Sequence, residues 1–209
     1  MADIGTSNGT GTSTSTRTRT RTRDGRARPG AAGVLGTATV FTGLLAGVFY
    51  VFACAVMPAL ARSDDRTYVE VMRNINDVIQ NPVFLLAFLG APLLTAVSAW
   101  QLRGVPLPRR WVWAALAAHV LAFAVTSACN VPLNDALAHT AGPAEARAHF
   151  EHPWVAWNVV RTLLVTAAGA CLARALVLHG ATRLLRGATR RPPRTSRPTP
   201  GQGPAGTRA

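Results

Sequence analysis

Four long apolar stretches organise this chain. Residues 29–61, 78–102, 111–134 and 162–173 carry no formal charge, and the last reaches back to Pro153 if Arg161 is accepted inside a helix. A helix needs ~20 mostly apolar residues to cross a bilayer. Lipid offers no partner to an open backbone, so each stretch reads as a helix. The pattern predicts spans near residues 34–57, 83–102, 111–131 and 154–178. A water-soluble fold would instead require four helices, apolar almost all round, to share one small core with little amphipathic covering. The expected architecture is all-α: a four-helix transmembrane bundle.

The segment between the first two spans has a different period. Tyr68, Met72, Ile75 and Ile79 recur at i, i+4, i+7 and i+11 within Arg62–Asn81, which predicts an amphipathic helix lying on the membrane or capping the bundle. Asn76 borders that stripe, whereas Asn74 and Asp77 turn away from it. The Asn81-Pro82 step ends this helix and starts the next, with proline at a first helical position.

Charge sets the expected orientation. The chain has no lysine, and its arginines gather in the N-terminal segment, in the short link holding Arg103, Arg109 and Arg110, and in the C-terminal segment. By the positive-inside rule these three regions, both termini included, are cytoplasmic. The other two links mix Arg62, Arg66, Arg73 and Arg147 with Asp64, Asp65, Glu70, Asp77, Asp135, Glu145 and Glu151, and go outside. The expected location is the cell membrane, as a multi-pass protein.

A net charge of +13 and a pI near 11.7 raise the question of nucleic acid. The charge sits mostly in terminal segments of Thr, Ser, Gly, Pro and Arg that cannot bury apolar surface, and nothing resembles a folded nucleic-acid-binding module. No nucleic-acid partner is expected; contact with anionic inner-leaflet lipids accounts for the charge. Residues 1–30 are expected to be a disordered Thr/Arg-rich tail, 31–182 the membrane domain, and 183–209 a disordered Arg/Pro-rich tail.

The basic leader followed by an apolar run has the outline of a secretory signal, with Ala59-Leu60-Ala61 as a small-x-small site, but the run is longer than the ~7–15 residues of a signal core. Cys54, Cys129 and Cys171 form no CxxC pair and give neither a disulfide nor a zinc framework. Gly36, Gly43, Gly47, Tyr50 and Cys54 fall near one stripe of the first span. The GxxxG at Gly43–Gly47 suggests close helix contact, within the chain or as a dimer seam.

Chemistry concentrates in two polar strings at facing ends of the third and fourth stretches: Asn130-Val131-Pro132-Leu133-Asn134 and Trp157-Asn158-Val159-Val160-Arg161. Polar groups at membrane depth persist when they face the bundle interior, a partner or a water-filled cavity. In the third span His119, Phe123, Thr126 and Asn130 share one face. Pro132 is expected to break the outer end, so that Asn130 and Asn134 either cap freed backbone or serve a site. In the fourth, Trp154, Trp157, Asn158 and Arg161 share one face. Arg161 either snorkels outward or belongs to a cavity, and the tryptophans either form an aromatic belt or wall a ligand. His119 and His179 lie at different depths and His149 with His152 sits outside, so no metal or haem ligand set is expected.

Asn74-Ile75-Asn76, Asn81-Pro82-Val83-Phe84, the Asn130–Asn134 string and Trp154-Val155-Ala156-Trp157-Asn158-Val159-Val160-Arg161, in that order, resemble the anthrone oxygenase-like family of small integral membrane proteins, many of whose bacterial members are described only as a domain of unknown function. The resemblance covers about residues 34–178. It implies a four-helix membrane protein whose fungal relatives oxidise anthrones to anthraquinones with molecular oxygen and no recognised cofactor. On that implication Arg161, Asn158 and Asn134 would hold a developing oxyanion. His152, Asp77 or Asp135 would supply a base. Asn76, Asn130, Trp154 and Trp157 would bind a lipophilic polycyclic substrate. A non-catalytic membrane module that binds a lipophile or a protein partner stands beside the oxygenase reading.

Overall fold

The structure, a computed structural model, describes residues 30–188; both expected tails lie largely outside the described residues. Every regular element among them is helical: α1 (Ala31–Leu60), α2 (Asp65–Ile79), α3 (Pro82–Gln101), α4 (Pro106–His139) and α5 (Pro143–Ala188). α1, α3, α4 and α5 are long and apolar enough to cross a membrane, and with α2 they make an all-α membrane protein.

α1 and α4 share a local device. Each contains one π-helical turn, Phe52–Val56 in α1 and Thr126–Asn130 in α4. In both, the next residue donates its N–H five positions back, Met57 to the Phe52 carbonyl and Val131 to the Thr126 carbonyl. In both, a proline follows at once, Pro58 or Pro132. Proline lacks an N–H and its ring collides with the carbonyl four residues back, and a widened turn removes that collision without ending the helix. The expected break at Pro132 is therefore corrected: α4 runs on to His139, and the Asn130 side chain makes no cap.

α5 has 46 residues, about 69 Å at the helical rise and more than twice a bilayer core. Its first turns, expected as an outer link, are helical because Arg147 pairs with Glu151 at i+4 (2.7 Å) and because Ala146 and Phe150 are buried against α2. α2 is the amphipathic cap. Asp64 accepts from the Thr67 amide at 3.0 Å and from its hydroxyl at 2.7 Å, bonds that hold its carboxyl below the usual carboxylate range. Tyr68, Val69 and Met72 are buried with Leu137, Phe150 and Trp154.

Two arginines latch this cap. Arg147 reaches Asp65, the Ser63 carbonyl and the Ala61 carbonyl at 2.9–3.0 Å and lies 4.6 Å over the Tyr68 ring. Arg73 donates to the carbonyls of Leu137 (2.8 and 3.0 Å) and Thr140 (2.7 Å), at the end of α4. Within the membrane the helices meet through small buried residues, among them Ala38, Ala99, Ala115, Ala168 and Ala175. Lipid removes most hydrophobic drive between helices, so close backbone approach is what favours packing there. At Gly90 an added Cβ would lie 2.8 Å from the Phe41 ring, so any larger residue there would have to displace that ring between α1 and α3. Gly43 and Gly47 meet nothing within 4 Å, so the GxxxG seam expected from the sequence makes no contact inside the chain.

Candidate functional site

Beneath α2 lies a cavity of about 330 Å³. Ile75, Asn76, Ile79 and Gln80 of α2 roof it, and Val48, Phe49 and Phe52 of α1 wall one side. Phe84, Leu85 and Phe88 of α3, with Thr126, Val131, Asn134 and Asp135 of α4, form another side. α5 contributes Trp154, Asn158 and Arg161. Both π-turns deliver a residue to this wall, Phe52 and Thr126. A π-turn rotates the residues downstream of it relative to a regular helix, which in α4 re-aims Val131, Asn134 and Asp135 onto the wall that Thr126 opens.

The cavity floor is cationic. Arg161 is only 7% exposed, and its guanidinium carbon stands 4.5 Å from the Phe49 ring centre and 5.5 Å from that of Trp154. One Nη donates to Asn158 Oδ1 at 3.0 Å, and Nε has no partner. The ion pairs among the described residues belong to Arg147, so no carboxylate neutralises Arg161. Asn158 links the two sides, since its amide nitrogen donates to the Phe49 carbonyl at 3.1 Å while its oxygen takes Arg161. It orients the guanidinium. Asn134 Oδ1 accepts the Trp154 indole N–H at 2.8 Å, which leaves the Asn134 amide hydrogens for a ligand. The unpartnered Arg161 Nε and the Asn134 amide are donors, as an anionic or carbonyl oxygen requires.

The structure brings Asn76, Asn134, Trp154, Asn158 and Arg161 to one cavity and leaves three candidates elsewhere. His152 is exposed on the outer part of α5, off the cavity lining. Trp157 is 39% exposed, because three residues of helix carry it about 60° to one side of Trp154. Asn130 is buried with neither amide atom bonded, yet the π-turn it closes keeps it out of the lining. Of the alternative bases, Asp77 is absent from the lining and Asp135 is its one carboxylate. Phe49, Phe52, Phe84 and Phe88 form aromatic walls that the sequence pattern presents only as ordinary apolar positions. Arg161 does not snorkel. His119 is not part of this floor, but ties α4 to α1 through Nε2 and Thr42 Oγ1 at 3.1 Å.

Residues 79–171 match the family model described as anthrone oxygenase. Over these residues the chain resembles that family. That region begins at the end of the cap and takes in Leu85, Asn134, Asp135, Trp154, Asn158 and Arg161, so most polar cavity residues fall inside it. The resemblance read from the ordered motifs is thereby borne out over residues 79–171, which leave out Asn74-Ile75-Asn76 and the first span. No curated protein and no solved structure matches the chain.

Proposed function

We propose that this anthrone oxygenase-like protein oxygenates a lipophilic polycyclic aromatic in the cavity beneath α2, without a cofactor. The observation that carries the reading is Arg161, a buried guanidinium with no carboxylate partner, set between two aromatic rings. An uncompensated buried cation is costly, and a ligand oxyanion offsets that cost. Asp135, the one carboxylate of the lining, takes a proton from the acidic ring methylene. The electron pair left behind delocalises onto the ring oxygen, where Arg161 and the Asn134 amide hold it. Dioxygen accepts electrons from this carbanion and bonds to the same carbon. The resulting peroxide anion takes that proton back from Asp135, and the hydroperoxide so formed loses water to leave a second ring carbonyl. One dioxygen is consumed, one oxygen atom enters the product and the other leaves as water.

The site's surroundings support a placement in the cell membrane with both termini and the Arg103–Arg110 link cytoplasmic, the basic ends against anionic lipid, and the acidic cap outside. The test is direct. Purified protein in nanodiscs is given 1,8-dihydroxyanthrone, and oxygen uptake and quinone absorbance are followed against the spontaneous rate. Wild type should exceed that rate with one oxygen per quinone. Arg161→Lys should stay folded and lose at least tenfold, because a point charge does not reproduce the planar fork. Wild type at the spontaneous rate rejects the enzyme reading.

A further inference from the structure

We infer that the cavity is loaded sideways from the membrane, through a gap between α3 and α4 whose sill is formed by Leu85 and Val131. Both residues line the cavity, yet they are 40% and 44% exposed. Their neighbours on the outer faces of the same helices, Leu86, Leu89 and Phe123, are exposed large apolar residues, as a lipid-facing surface requires. The cavity therefore communicates with the side of the molecule that faces hydrocarbon. Lower down, the gap is closed by Phe88 and Phe123, whose ring centres lie 5.7 Å apart.

The route from above is obstructed. α2 lies over the cavity and is held by the Arg73 and Arg147 latches, which tie it to the end of α4 and the start of α5. Between α2 and α3 the side-chain bonds among the described residues are the local ones of Asn81, whose amide donates to the Val78 carbonyl at the end of α2 and whose oxygen caps α3 through the Val83 and Phe84 amides; none of them reaches α4 on the far side of the mouth. Gln80 and Asp135, both exposed, give the mouth a polar upper rim above the apolar sill. That arrangement suits an amphiphile that keeps a polar edge at the interface while its ring system slides between Leu85 and Val131. The inference rests on the proposed lipophilic substrate and narrows it to molecules dissolved in the bilayer.

The route is tested by chemical access. In full-length protein the three native cysteines become Ala and Thr126, in the cavity wall, becomes Cys. In liposomes, N-pyrenylmaleimide partitioned into lipid should label Thr126→Cys at least tenfold faster than a charged, water-soluble methanethiosulfonate. Adding Leu85→Trp and Val131→Trp should slow the pyrene reaction at least tenfold, with Leu85→Phe and Val131→Phe as a milder pair should the tryptophans prevent folding. Faster labelling by the charged reagent, equal labelling with the sill enlarged, or no labelling by either reagent overturns the lateral route. Stopped-flow binding of 1,8-dihydroxyanthraquinone separates this from the function. The enlarged sill should slow both binding and release, whereas a protein whose Thr126→Cys variant is labelled from lipid but whose wild type binds no quinone contradicts the aromatic-substrate reading while the route stands.

Discussion

The Trp154 indole N–H donates to Asn134 Oδ1 at 2.8 Å, and this bond joins α5 to α4 at the cavity wall. One turn deeper Asn158 repeats the pattern toward α1, giving its amide to the Phe49 carbonyl while it holds Arg161. Three spans are thus tied at two depths by polar groups with few alternatives. The ring of Trp154 and that of Phe49 then flank the guanidinium, so the bonds that join the helices also position the charge.

Trp154→Phe keeps an aromatic ring but removes the N–H. It should destabilise the folded protein by about 0.5–1.5 kcal/mol, the net worth of one hydrogen bond, and Asn134→Ala should cost a similar amount. The two losses should not add, because either change alone breaks the same bond. Denaturation of the single and double variants in one detergent measures the coupling. Additive losses mean that the bond contributes nothing.

Arg161→Gln separates stability from function. Gln still donates to Asn158 but carries no charge, and removing an unpaired buried cation should stabilise the ligand-free protein by about 1 kcal/mol or more. Binding of 1,8-dihydroxyanthraquinone at a pH where it is ionised should weaken at least tenfold, since a charge-assisted bond is lost. A fall in ligand-free Tm alongside unchanged binding would identify Arg161 as a structural strut.

Much of this arrangement is legible in the sequence, and the reasons for the rest are specific. The four spans follow from uncharged length, and the cap from the Tyr68–Ile79 period. The two polar strings follow from the cost of amides in hydrocarbon. What the pattern misses is rotation. Counting from Pro132 predicts a broken helix, but the π-turn at Thr126–Asn130 absorbs the proline, carries α4 onward and presents Asn134 and Asp135 to the cavity while Asn130 stays behind. Helical spacing also groups Trp157 with Trp154, yet an offset of about 60° decides which of them meets Arg161. Phe49 and Phe88 could not have been singled out, because in a membrane helix an aromatic residue facing lipid and one facing a cavity look alike.

Arg73 has a measurable role as a latch. Its guanidinium satisfies the Leu137 and Thr140 carbonyls at the end of α4, groups that the helix itself leaves without partners. Arg73→Ala should cost about 1–3 kcal/mol, as expected for several bonds to a charged donor. The loss should be local, with amide exchange rising in residues 65–79 and 136–140 before the membrane-embedded helices respond. Uniform acceleration across the bundle would show that the cap and spans open as one unit.

Orientation can be read with single cysteines placed in a background where Cys54, Cys129 and Cys171 are Ala. Gly104 lies in the link with Arg103, Arg109 and Arg110, whereas Asp65 opens the acidic cap and Ala141 separates α4 from α5. Arginine-rich links are retained on the cytoplasmic side because translocating them opposes both the membrane potential and anionic-lipid attraction. In intact cells an impermeant maleimide should therefore label Asp65→Cys and Ala141→Cys, and Gly104→Cys only after lysis. The same logic places Ser15 and Gly201, beyond the described residues, with Gly104. Labelling of Gly104→Cys in intact cells would invert the molecule and place the cavity in the cytoplasmic leaflet. The route between Leu85 and Val131 would then open to that leaflet instead.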